Sequence, residues 1–203
     1  MSIGWILLIL LVLVVVFAIA VVLSYNRFVT QRNLVRESWR QIDVELQRRH
    51  DLIPNLVETV KGYAGQERTV FIAVTEARAQ AEQVRRDPRA GAAQQAAAES
   101  NLNGAMTGLF ATVEAYPDLK SNQSFLALQQ QLAETEDRIA AGRRYYNANV
   151  RGINTRVEAF PSNLVAGVFH FAQEEYFEVD DPTVRANVDI DFGEGSTAGP
   201  APT

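Results

Sequence analysis

Residues 35–63 read VRESWRQIDVELQRRHDLIPNLVETVKGY, and the spacing of their apolar positions decides the fold. Val35, Trp39, Ile42, Leu46, Arg49, Ile53, Leu56, Val60 and Tyr63 succeed one another at alternating intervals of four and three, with Arg49 the one polar member. That alternation holds one face of a helix against a partner helix, as in a coiled coil or a long bundle. Pro54 lies inside the pattern. The phase is the same on both sides of it, which predicts a kink rather than a break, although Asp51 is placed to cap a new helix with Pro54 in its first turn.

The same spacing recurs downstream. It runs through Val70, Val74, Ala77, Ala81 and Val84, then through Leu102, Met106, Leu109, Val113 and Tyr116. A last set begins at Phe125, Leu128 and Leu132 and, after one shift of the seam, continues through Ile139, Tyr146, Val150, Ile153, Val157 and Phe160. Gly62 and Gly65, Asp87-Pro88 and Tyr116-Pro117 mark the stops between sets. Such short connections make neighbouring helices antiparallel. The expected fold is all-α: an antiparallel four-helix bundle of long helices over residues 25–177, with residues 162–177 as a short helix or cap against its end.

Upstream, residues 3–23 (IGWILLILLVLVVVFAIAVVL) carry no charge and as a helix span about 31 Å, close to the hydrocarbon thickness of a bilayer. With no polar face in the run, residues 1–24 are read as a transmembrane anchor rather than a core helix. A cleaved signal peptide is the rival, on the strength of Ala18-Ile19-Ala20, but no Lys or Arg precedes the run. Arg27, Arg32, Arg36 and Arg40 follow it, on the side that positive-inside logic assigns to the cytoplasm. The expected location is the cytoplasmic (inner) membrane, with one span and the bundle inside the cell.

Composition excludes several chemistries. The chain has 203 residues, no Cys and two His, so thiol nucleophiles, disulfides and cysteine-based metal sites are ruled out. Up to Gln173 there are 18 basic and 16 acidic residues, net +2, whereas the remainder carries one basic and eight acidic, net −7. Neither part has the basic stripe of a nucleic-acid binder. The acidic tail, residues 178–203, contains the one period-two signal: Val184, Ala186, Val188, Ile190 and Phe192 alternate with Arg185, Asn187, Asp189 and Asp191. This candidate strand has no sheet in its own bundle. It is expected either to pair with another copy and promote homo-oligomers or to pack one apolar stripe into a bundle groove, and the Gly/Pro-rich end beyond it is expected to be disordered.

Polar residues gather at Arg48, Arg49, His50, Asp51, Asn55 and Glu58, and an antiparallel fourth helix brings Glu136 toward them. A catalytic reading takes Glu58 and Glu136 as facing carboxylates with His50 as base. The structural reading, preferred here, pairs the carboxylates with arginines and makes Arg49 a register-fixing residue in the seam. The Glu-x-x-His pair of bundle metal sites, phosphate-loop glycines and the Gly-x-Ser-x-Gly elbow are all absent from the sequence. No catalytic residue, cofactor or metal site is therefore expected. His170, between two phenylalanines, reads as a core or interface histidine.

Long stretches of the chain resemble the LemA family. They are Tyr25-Asn26 after the anchor, SWRQIDVELQRRHDLIPNLVETVKGYA from Ser38, Ala77-Arg78, YPDLK from Tyr116, FLALQQQLAETEDRIAAGRRYYN from Phe125 and FPSNLVA from Phe160. The resemblance covers nearly everything from Ser2 to Phe192. It departs at Gly152-Ile153-Asn154, where an aromatic often precedes the Asn, and in the longer acidic tail. It implies a membrane-anchored helical bundle without an established enzymatic activity. The function expected from residues and resemblance together is a membrane scaffold that recruits an unknown protein partner or copies of itself. A membrane-shaping module, binding anionic lipid through the four juxtamembrane arginines, is the second reading; a hydrolase or metal-dependent enzyme ranks last.

Overall fold

The structure, a computed structural model, describes residues 3–178. Most of those residues are helical, with no strand among them, and the candidate strand at residues 184–192 lies outside them. Helix α1 (Ile3–Lys61) is continuous for 59 residues, about 89 Å. Its first turns are the one described helix long and apolar enough to cross a membrane, and none of that apolar window is buried by the rest of the chain. Uncovered leucines and valines in such number are stable in hydrocarbon, not in water.

Helices α2 (Arg68–Arg86) and α3 (Ala92–Val113) form a hairpin against the far part of α1. A short turn of helix, α4 (Pro117–Lys120), then leads to α5 (Gln123–Glu158), which returns along α1 toward the membrane end. The α1–α5 register is constant: Arg138 pairs with Glu45 at 3.4 Å, Gly142 faces Ile42 and Gly152 faces Gln31. Both glycines mark close approach: a Cβ at Gly142 would stand 3.0 Å from the Ile42 side chain, and one at Gly152 would overlap the end of the Gln31 side chain. α6 (Ser162–Phe169) folds against α1 and α5.

The core has two parts. The distal one is a true four-helix bundle, centred on Ile53, Leu56, Val60, Phe71, Val74, Leu102, Leu109 and Phe125. The membrane-proximal one has only α1, α5, α6 and the first turn of α3, with Phe28, Val35, Ile42, Ile139, Tyr146, Val150 and Ile153 inside. The seam positions are buried or half-buried as the spacing predicts, apart from Tyr63 and Phe160, which are exposed. Tyr63 accepts a hydrogen bond from Asn122 at the distal end, and Phe160 lies past the end of α5.

A third layer completes the proximal part. Helix α6 ends at His170, whose backbone is left-handed (φ 57°) and which is exposed, so of the core or interface histidine expected from the sequence the core placement is not found. From there residues 171–178 run as an extended strap up the α1–α5 groove, where the sequence alone suggested a continuing helix or cap. Phe171 stacks on Phe28 at 4.7 Å and Phe177 meets Trp39 edge-on at 5.6 Å. An extended chain without a sheet leaves its backbone polar groups unpaired, and burying them so is costly. Here two side-chain amides of α5 stand in for the missing strand. Asn154 donates to the Glu174 carbonyl (2.9 Å) and accepts from the Glu174 N–H (2.8 Å); Asn147 does the same at Phe177 (3.1 and 3.0 Å). The match is metric: seven residues of helix and three of extended chain both advance about 10 Å.

Between these clamps the Tyr146 hydroxyl donates to the Glu175 carbonyl at 2.9 Å. Burial, and then the carboxylates of Glu174 and Glu175, push the Tyr146 phenol up to about 12. A phenol whose folded value exceeds its unfolded one, near 10, contributes stability that is full below about pH 10 and lost as the pH rises through 12. Titration of the phenolate absorbance is expected to show one of the six tyrosines ionising late, and Tyr146→Phe to abolish that step. The same variant is expected to cost about 1 kcal/mol in denaturant unfolding of the full chain in detergent. Absence of a late step would mean that the strap does not cover Tyr146.

Candidate functional site

Where the two parts of the core meet, the apolar seam is interrupted by a polar layer. Arg49 and His50 of α1 are buried, at 6% and 1% exposure, and α3 meets them with Gln95 and Glu99, which are buried too. The Glu99 carboxylate accepts from His50 Nε2 at 3.0 Å and from Gln95 Nε2 at 2.8 Å. Arg49 lies 3.6 Å from the other Glu99 oxygen and 3.2 Å from Glu136 of α5, and also donates to the Asn103 side chain. Taking such a group from water is expensive, and an arginine left alone there would not be stable. A shift of α3 by one turn would strand either Arg49 or Glu99 among apolar side chains, so the layer selects one register.

Helix α2 joins the layer through the backbone. In an α-helix the carbonyl of residue 50 accepts from the N–H of residue 54, and Pro54 has none. The His50 carbonyl freed in this way accepts instead from Arg78 Nε at 2.7 Å. Pro54 thus sits inside an unbroken helix because another helix supplies the donor it lacks.

Of the residues singled out from the sequence, the structure brings together Arg49, His50 and Glu136. Arg48, Asp51, Asn55 and Glu58 are exposed, and Glu58 pairs with Lys61 at 2.7 Å rather than facing Glu136. Arg27, Arg36 and Arg40 are exposed beyond the apolar run; Arg32 is half-buried, its guanidinium 5.3 Å from the centre of the Phe171 ring. Gln95, Glu99 and Asn103 were not picked out by sequence reasoning, and Arg78 was named only among the stretches that carry the family resemblance. The signal was present: carrying the four-three alternation back from Leu102 lands on Glu99, Gln95 and Ala92, all buried.

A cleft of about 360 Å³ opens beside the layer, lined by Arg49, Asn103, Met106, Phe110, Leu132 and Glu136 among others. It reaches the guanidinium but does not include His50, the group a hydrolytic reading takes as base. Among the described residues no three His, Asp or Glu side chains converge as metal ligands. The polar layer is thus organised around internal pairs.

Sequence comparison places this architecture. The family model described as "LemA family" matches residues 38–192, from the first bundle turns of α1 to past the strap. The chain belongs to the LemA family. Magnetosome proteins MamQ 1 and MamQ 2 of Paramagnetospirillum magneticum are each 27% identical to it over 186 residues, covering 81% of this chain and 68% of theirs. Protein LemA of Metamycoplasma hominis is 23% identical over 168 residues, covering 79% of this chain and 75% of its own. The LemA match takes in Arg49, Arg78, Glu99 and both strap asparagines, so the helices that build the polar layer and the clamp belong to the family region. A membrane-associated helical protein, with one apolar N-terminal helix as its candidate span, is what family and fold establish together.

The Pro54–Arg78 exchange makes a sharp prediction. Arg78→Ala should cost about 1–3 kcal/mol, because it leaves a buried carbonyl unpaired. In a Pro54→Ala background the residue-54 N–H returns and most of that cost should vanish. Equal costs in both backgrounds, by denaturant unfolding of the full chain in detergent, would show that Arg78 does not act on the carbonyl.

Proposed function

We propose that the chain is a non-enzymatic, membrane-anchored scaffold that holds its bundle on the cytoplasmic side for recruiting protein partners or copies of itself. The observation that carries this reading is the continuity of α1, in which the candidate span and the bundle seam are one 59-residue helix. A bundle joined to the membrane in this way has its orientation set by the anchor, which suits presentation of a surface. Two further features support it. The buried ionisable groups pair with one another, His50 does not line the cleft beside Arg49, and the sides of the bundle expose isolated apolar residues such as Val44, Ile72 and Leu126. The magnetosome relatives are named for the structure they belong to, not for a reaction.

The four arginines after the span support the cytoplasmic orientation. Photo-crosslinking amino acids at Val44, Ile72, Leu126 and Tyr145, used in living cells, test the recruiting surface. A scaffold gives discrete protein adducts or self-adducts at some of these positions, and a reporter fused after Thr203 is active in the cytoplasm. Absence of discrete adducts at all four positions would contradict the scaffold. A reporter active only outside the cytoplasm would contradict the orientation.

A further inference from the structure

The bundle end nearest the candidate span carries an apolar face that no described part of the chain covers. Helix α6 buries Val165 and Ala166 and turns Leu164 and Val168 outward, four residues apart and therefore on one face. They are 58% and 71% exposed, and Phe160, on the turn before them, is 79% exposed. The height of this face is set by α1: the Phe169 ring lies 4.8 Å from that of Tyr25, which follows the apolar run by two residues. The patch is therefore continuous with the candidate span.

Cations stand at the same level. Arg27 follows Leu23 by four residues, about 6 Å along the helix, which is within the roughly 5–7 Å of headgroup layer on each side of a bilayer. Arg156 of α5 comes beside it, because the register that sets residue 138 against 45 and 152 against 31 sets 156 against 27; burial first, and then Arg27, lower its hold on a proton. Neither arginine has an ion-pair partner among the described residues. Glu158, two residues after Arg156, accepts instead from Gln173 at 2.7 Å. Two neighbouring guanidinium groups without a carboxylate call for an anion, and phosphate oxygens suit their geometry.

We infer that α6 is a second membrane contact, with Phe160, Leu164 and Val168 entering the boundary between headgroups and acyl chains while Arg27 and Arg156 take the phosphates of anionic phospholipid. The inference rests on residues 3–23 being the membrane span of the proposed scaffold. It adds a footprint beside that span, so the bundle stands on two supports rather than one.

Because the chain has no cysteine, single-cysteine variants of the full protein can carry a nitroxide at chosen positions. Labels at Leu164→Cys and Val168→Cys are compared with Leu13→Cys in the span and Leu126→Cys at the distal end, in vesicles of phosphatidylcholine with and without phosphatidylglycerol. The expected result is a shift of collisional accessibility from a water-soluble nickel complex toward oxygen at 164 and 168, intermediate between 13 and 126 and larger with phosphatidylglycerol. Replacing both Arg27 and Arg156 by Gln should remove that lipid dependence. If 164 and 168 match 126 while 13 remains in lipid, the α6 contact is overturned and the anchor stands; if 13 is open to nickel, the anchor itself fails. Dipolar broadening between labels at 164, showing a second copy on this face, would also overturn the contact, and equal accessibility in both lipid mixtures would overturn the role of the arginines.

Discussion

Helix α1 joins, without interruption, a stretch suited to hydrocarbon and a stretch suited to water. Its first turns expose leucine, valine and isoleucine on every side, and its later turns bury a single stripe. The other helices are placed by reference to that stripe: α5 along its whole length in the bundle, α2 and α3 only along its far part. The weakest point of such a rod is Pro54, which removes one hydrogen bond where the bundle is thickest. That loss is offset by Arg78, reaching from α2 to the carbonyl that Pro54 leaves free. The defect is thereby turned into a tie between helices.

The unequal lengths of the helices explain the rest of the architecture. Helices α2 and α3, of 19 and 22 residues, cannot line the whole groove between α1 and the 36-residue α5. The proximal groove is filled instead by the strap, whose aromatic side chains supply the apolar area and whose backbone is received by Asn147 and Asn154. The buried Arg49–Glu99 pair lies at the junction of the two regimes. A pair of this kind adds little net stability, since desolvation opposes its attraction, but it penalises every other alignment of α3.

The helical fold was legible in the sequence because a bundle seam has a strict period and these helices keep it for several turns each. Leu46, Leu56 and Ile139 are buried where the period puts them, while Leu128 is half-buried. The polar layer was half legible. Arg49, His50 and Glu136 stand out as polar groups at or near seam positions, whereas Glu99 and Gln95 show only when the seam of α3 is carried back from Leu102 into its alanine-rich first turns. The strap was not legible. Its conformation depends on amides of α5 that are far away in sequence, and FHFAQEEYF has no periodicity of its own to announce an extended chain. The pairing of Pro54 with Arg78 was likewise hidden, because a freed carbonyl leaves no mark on the residue that carries it.

The candidate span and the bundle seam lie on one continuous helix. Pulsed dipolar spectroscopy between nitroxides at Leu13→Cys and Val44→Cys, on the full chain in lipid nanodiscs, measures it directly. Thirty-one residues of unbroken helix separate those positions by about 46 Å between Cα atoms. A single narrow distance distribution consistent with that separation is expected. A broad distribution, or one centred well below it, would mean that the chain bends between the membrane and the bundle and would contradict the account.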